Sequence, residues 1–135
     1  MKNTASFAQW RETLLKRARA AMKCAYAPYS RFQVGAAVLL QDGRIFTGCN
    51  VENASYGLTI CAERNAIFAA VAASVRKPAI VAVAVVNRRG APCSPCGACR
   101  QVIAEFGPDA LVWYPGAKGI VSRTMRELLV DGFAL

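Results

Sequence analysis

The stretch PCSPCGACRQ, residues 92–101, sets Cys93, Cys96 and Cys99 at intervals of three. Thiolates so spaced hold soft metals, and C-x2-C-x2-C is also how a bacterial iron–sulfur run begins. That run needs a fourth cysteine followed by proline. Here Arg100-Gln101-Val102-Ile103 follows, and no cysteine lies beyond Cys99. Any further thiolate must come from Cys24, Cys49 or Cys61, the rest of the six cysteines in the chain. The 135 residues contain no histidine. Imidazole ligands, imidazole bases and Ser-His or Cys-His triads are thereby excluded together. A metal must rest on thiolates and carboxylates, and a proton must travel on Glu, Asp, Lys, Tyr or Cys.

A second stretch, Cys61-Ala62-Glu63-Arg64, pairs a thiol with a carboxylate two residues away at the start of an alanine-rich helical run. The segment Pro95-Cys96-Gly97-Ala98-Cys99-Arg100 enters a helix in the same way. Free N–H groups and the positive dipole end at a helix N-terminus favour thiolate over thiol. Three thiolates from two such loops suit a catalytic zinc, which keeps an open position for water. Glu63 then stands near the metal as a general acid and base without ligating it. Three thiolates on Zn²⁺ leave a net negative charge, which opposes lowering the pKa of a bound water. Arg64 is placed to offset that charge by donating to the ligand sulfurs.

The elements that must position these groups follow from periodicity. Phe7, Trp10, Leu14, Ala18, Ala21 and Met22 recur at helical spacing after a capping box at Ser6-Phe7-Ala8-Gln9, predicting a helix over about 7–25. Val34 to Gln41 and Arg44 to Val51 read as two strands around an Asp42-Gly43 hairpin turn. A helix over 63–75 precedes a branched run, Ile80 to Val86, that suits a strand buried on both faces. After the cysteine loop come a helix over 98–106, a strand at 111–114, a turn at 115–119 and a strand at 120–123. Thr124-Met125-Arg126-Glu127 forms a second capping box for a short last helix. The order predicts an α/β fold, one mixed sheet with helices on both faces. The last two strands are too close in sequence for a parallel crossover and should be antiparallel.

Residues 1–135 read as one domain, with a core that needs no disulfide to fold. The hydrophobic content is 55%, more than one core of this size readily hides, which predicts burial at a symmetric subunit interface. The cysteines resemble no secreted scaffold, and residues 1–20 have the periodicity of a helix rather than the apolar block of a signal peptide. Reduced thiols and a cytoplasmic location are therefore expected. The apolar stretches 66–75 and 78–86 fall short of the ~18 residues of a membrane span. The net charge of +9 is spread along the chain, with only Lys16-Arg17-Ala18-Arg19 and Arg88-Arg89 as clusters, so a nucleic-acid partner is not expected.

Taken together, CAE at 61–63, PCGAC at 95–99 and the segment GCNVENASYG at 48–57 resemble the cytidine deaminases, over about Tyr26 to Phe133. Cys61 stands where the His-containing form of the zinc deaminase signature has histidine. The chain is thus similar to the all-cysteine, small-subunit, homotetrameric branch. The resemblance implies the three-layer α/β/α fold with a five-stranded mixed sheet. It implies one zinc per subunit on Cys61, Cys96 and Cys99, with Cys93 a bystander. The implied reaction is attack of an activated water on C4 of cytosine, while Glu63 protonates N3 and then carries a proton to the departing ammonia.

By the same resemblance Asn50 and Glu52 hold the ribose hydroxyls, and Ala54, Tyr56 and Ala62 contribute at the substrate. Phe32, in YSRFQVGAAV, packs against the pyrimidine, and Phe133 reaches a neighbouring subunit's site. The chain departs from the family at Val130, where proline is usual, and it ends at Leu135 without the usual acidic tail. Arg100 is read as either facing the zinc or structural, and Cys24, Cys49 and Cys93 as small buried or bystander residues.

The function expected is zinc-dependent hydrolytic deamination of cytidine and 2′-deoxycytidine in pyrimidine salvage. One rival is a deaminase of a cytosine-containing antibiotic such as blasticidin S, disfavoured by the ribose-suited NVENASY segment. A nucleic-acid editor is disfavoured by the Glu52 carboxylate, which would oppose a phosphodiester. The rival of another class is a structural zinc module binding nucleic acid, which predicts a closed four-cysteine site recruiting Cys93 and salt-sensitive binding.

Overall fold

The computed structural model describes residues 4–135, with side chains from Phe7 onward. Helix α1 spans Thr4–Met22, so Ser6 falls within it, and the cap expected of the Ser6 side chain lies outside the described residues. The helix also ends three residues before the expected 25. There Tyr26 N–H donates to Asn50 O (3.0 Å) and Glu52 N–H to Tyr26 O (2.8 Å), and this pairing draws the chain out of the helix. Strands β1 (Val34–Leu40) and β2 (Ile45–Cys49) form the expected hairpin. β2 stops before Val51 because the Asn50 side chain takes up the main chain of Val34 and Phe32.

Helix α2 (Ala62–Ala72) closes before Val75, where the Ser74 hydroxyl donates back to Ala70 O at 2.7 Å. Then come β3 (Ile80–Asn87), α3 (Gly97–Phe106), β4 (Leu111–Gly116), β5 (Gly119–Thr124) and α4 (Met125–Leu128). The turn between β4 and β5 is tighter than expected, with Gly116 paired to Gly119. The capping box opens α4: Glu127 N–H donates to Thr124 Oγ1, and Thr124 N–H to the Glu127 carboxylate.

The five strands lie in the order β2-β1-β3-β4-β5, mixed as expected: β3 and β4 are parallel, joined by the α3 crossover, and the other pairs are antiparallel. Alternating residues send one core to each face. Leu14, Leu15 and Ala18 of α1 pack on Ala37, Leu39, Ala82 and Ala84. On the other face Ala62, Ala66 and Ile67 of α2 and Ile103 of α3 meet Ala36, Val38, Val83 and Val85. Two glycines set the helix heights. A Cβ on Gly35 would lie 2.0 Å from Ala18 O in α1, and one on Gly48 would lie 2.4 Å from Ala66 N in α2. Each helix therefore seats its backbone directly on the sheet, which fixes where the N-terminus of α2 stands.

Candidate active site

Cys61 and Cys96 are the N-cap residues of α2 and α3, in extended conformation with no side-chain cap bond. Where serine or aspartate would ordinarily satisfy the first-turn amides, thiols stand instead, facing two positive helix ends. Cys99 follows in the first turn of α3 and is fully buried. The three Sγ atoms lie within 4.8 Å of one another, with Cys61 and Cys96 at 3.7 Å. Tetrahedral zinc with ~2.3 Å Zn–S bonds separates its sulfurs by about 3.8 Å, so this donor set fits the ion.

Arg64, one turn along α2, donates from Nη2 to Cys61 Sγ at 3.4 Å. Its Nε is buried without a partner among the described residues, and its pKa is raised, first by the hydrogen bond to Cys61. The Cys61 thiol is brought down to about 5, foremost by the hydrogen bond from the Cys99 thiol and then by Arg64 against the opposing effect of burial. The Cys99 thiol is pushed up, first by its hydrogen bond to Cys61 and then by burial. The site thus presents a thiolate before any metal enters.

Glu63 is only 4% exposed. Burial pushes its carboxyl above the ordinary glutamate range, and the charge of Cys61 adds to this. A carboxyl whose pKa is raised by burial is better suited to carry a proton than an exposed one. It borders a cavity of about 250 Å³ whose other walls include Cys61, Cys96, Phe32, Val34, Val85, Ala62, Asn50 and Glu52.

The ribose-side residues divide. The Glu52 carboxylate accepts from Tyr29 N–H (2.9 Å), Ser30 N–H (3.1 Å) and the Ser30 hydroxyl. These bonds, the hydroxyl first, hold its pKa below the usual range. A carboxylate offers about four acceptor sites, so one stays open to a ligand hydroxyl. Asn50 is buried and braces the cavity rim: Oδ1 accepts from Val34 N–H and Nδ2 donates to Phe32 O, both at 2.8 Å. Its second Nδ2–H has no partner among the described residues. Tyr56 sits outside the cavity, edge-on to Tyr29 with ring centroids 5.9 Å apart, in a hollow that shares Ser30, Glu52 and Thr59 with it. Ala54 is exposed and does not line the cavity. Phe133 is also exposed and away from it, its carbonyl accepting from Gln101 Nε2 at 3.0 Å.

Arg100 is structural. It donates to Pro95 O, Leu128 O and Ser94 Oγ at 2.8–2.9 Å, tying the cysteine loop to the end of α4. Cys93 lines the cavity, yet its sulfur stands outside the three-thiol cluster. Burial raises its pKa, and the Glu63 charge adds to this. Of the two readings of Cys24, buried or bystander, its exposure leaves the second. Sequence reasoning missed Ser30 and Asn87. Nothing local marks Ser30. Asn87, however, closes an apolar strand ahead of Arg88-Arg89-Gly90, a signature of a side-chain-closed turn.

Residues 8–114 match the family model described as "Cytidine and deoxycytidylate deaminase zinc-binding region". The chain belongs to this family. A curated cytidine deaminase from Halalkalibacterium halodurans is 50% identical over 91% of this chain and 93% of its own length. Among solved structures, the cytidine deaminase from Burkholderia pseudomallei is 48% identical with a TM-score of 0.83, covering 90% of this chain and 98% of that one. That from Mycobacterium tuberculosis is 43% identical with a TM-score of 0.80, covering 92% and 97%. Membership of the deaminase family settles the metal as zinc, because the matched region is a zinc-binding one and the three-thiol cluster stands within it.

Proposed function

We propose that this chain is a hydrolase that converts cytidine and 2′-deoxycytidine to uridine and 2′-deoxyuridine, with Cys61, Cys96 and Cys99 holding one zinc per subunit and Glu63 as the proton carrier. The observation that carries this reading is Glu63, buried at the three-thiol cluster on the wall of a nucleobase-sized cavity. Bound zinc supplies a Lewis acid that makes water nucleophilic near neutral pH.

The protein's residues supply the rest. Arg64 draws charge from the sulfurs. Glu63 takes a proton from the attacking water and delivers it to N3 of the cytosine as C4 is attacked, then takes the remaining proton from the new hydroxyl on C4 and passes it to the amino group as ammonia leaves. Phe32 and Val85 wall the base from bulk water, and Ala62 in the first turn of α2 packs beside it. Glu52 accepts from a ribose hydroxyl through its open site, and Asn50 offers its second Nδ2–H. Tyr56 and Ala54 flank the sugar side from the neighbouring hollow and bend.

Exposed apolar side chains on and near α2, among them Tyr56, Leu58, Phe68 and Val71, support an oligomer, and the branch resembled makes it a tetramer into which Phe133 carries a ring toward a neighbour's site. No described helix is long and apolar enough to cross a membrane. With the deaminase reading we propose a salvage role in the cytoplasm for a single catalytic unit over 1–135.

The test is loss of cytidine absorbance with purified protein, beside Glu63→Gln at equal zinc loading. Rapid loss in the parent and a decrease of at least ~10²- to 10⁴-fold in the variant are expected. A folded, zinc-loaded parent that leaves both nucleosides untouched overturns the reading and turns attention to blasticidin S.

A further inference from the structure

The basic pair Arg88-Arg89 is not used by the reading above. It lies in the loop that leads from β3 into the cysteine segment. Asn87, 7% exposed, folds this loop: its Oδ1 accepts from Arg89 N–H (3.1 Å) and Ala91 N–H (3.0 Å), and its Nδ2 donates to Ala91 O (2.8 Å). Gly90 supplies the positive φ of 62° that the turn requires. So held, the two arginines grip consecutive residues of the opposite segment. Arg88 donates from its N–H to Gln33 O (3.0 Å) and from Nη1 to Gln33 Oε1 (3.3 Å). The Arg89 guanidinium lies over the Phe32 ring, 5.6 Å from its centroid.

Arg89 forms no ion pair among the described residues. Its guanidinium is therefore left to the π face of a ring that borders the cavity. Among the described residues the hydrogen bonds of Phe32 are made by its main chain, with Ser30 Oγ accepting from its N–H and Asn50 Nδ2 donating to its carbonyl. Those bonds locate the backbone and do not themselves orient the ring.

We infer that Arg89 is a positioning residue for Phe32: stacked over the ring, it sets the orientation of the aromatic wall that receives the base. This rests on the reading of Phe32 as the pyrimidine-packing residue. The contact also links that wall to the metal ligands, since the same loop continues into Cys96. A wall that packs on the base equally in the ground and transition states acts on KM and leaves kcat nearly unchanged.

The experiment is a double-mutant cycle of Arg89→Met and Phe32→Leu, each zinc-loaded, read as kcat and KM for cytidine. Arg89→Met keeps the length of the side chain and removes the cation. It should raise KM roughly two- to five-fold, the ratio a cation–π contact at an exposed site corresponds to, with kcat little changed. Arg89→Lys should recover part of the loss. In the Phe32→Leu background, Arg89→Met should do nothing further. An unmoved KM in Arg89→Met, or the same rise in both backgrounds, overturns the inference.

Thermal unfolding of the same four proteins without substrate is a second arm. A lower Tm from Arg89→Met in the parent but not in Phe32→Leu supports the contact, and equal lowering in both overturns it. A parent inactive on cytidine would sink the deaminase reading, while this second arm would still decide the contact.

Discussion

Arg64 Nη2 donates to Cys61 Sγ across 3.4 Å, so the residue that caps α2 with a thiolate and the cation one turn later form one charge-compensated unit. Replacing Arg64 with Gln should leave zinc bound, because all three sulfurs remain, but should reduce kcat about 10- to 100-fold, the usual cost of losing such a supporting partner. With the guanidinium gone, the excess negative charge favours protonation at the site, and the acid limb of the kcat profile should move to higher pH. Metal analysis and a pH–rate profile check both.

The sulfur of Cys93 stands outside the cluster of Cys61, Cys96 and Cys99 although it lines the same cavity. Cys93→Ser should therefore retain zinc at the parent stoichiometry, and Cys61→Ser, Cys96→Ser and Cys99→Ser should each lose most of it. Zinc loss from Cys93→Ser would instead favour a closed four-cysteine site.

Burial raises the pKa of Glu63 above its ordinary value of 4.5. The folded metal-free protein then holds a proton that the unfolded chain has released, and stability falls as pH rises from about 4.5 through the raised pKa. Glu63→Gln removes that charge without changing shape. The metal-free variant should lose less stability than the metal-free parent as pH rises above about 4.5, a difference that a series of denaturant titrations should show.

Glu52 behaves in the opposite sense. The Ser30 hydroxyl and two amides hold it ionised below the ordinary glutamate range, so KM for cytidine should stay flat as pH falls toward that range. Glu52→Gln should raise KM with kcat little changed, since the neutral amide is a weaker acceptor for a ribose hydroxyl than the carboxylate. Steady-state kinetics on both proteins tests this.

Gly48→Ala places a Cβ 2.4 Å from Ala66 N and 2.6 Å from Ala62 O. Helix α2 must lift from β2, at a cost of about 1–3 kcal/mol or more. Because Cys61 and Glu63 ride on that helix, kcat should fall together with Tm, in contrast to a surface change such as Lys16→Ala, which should move neither.

The amino-acid sequence by itself determined the chemistry and most of the elements. The absence of histidine left thiolates and carboxylates as the only metal and proton groups, and CAE and PCGAC marked two helix starts. Alternation and capping residues located the strands and α4, since those signals are local: a hydrophobic period of 2, a turn at Asp42-Gly43, a Thr-x-x-Glu box. The ends of α1 and β2 were not legible, because the first is set by the pairing of 26 with 50 and 52 and the second by the Asn50 side chain on Val34 and Phe32, all across the fold.

Only the tertiary structure brought Cys61 to 3.7 Å from Cys96, 35 residues away in the chain. It also turned Arg100 into a brace and engaged Asn50 with Phe32 and Val34. It put Arg89 over Phe32 as well. The physical reason is common to all of these. A side chain's type states which bonds it can make, whereas its partners are chosen by how closely α2 and the β3–α3 loop seat against the sheet. That closeness depends on contacts such as Gly48 against Ala66, which no local pattern records.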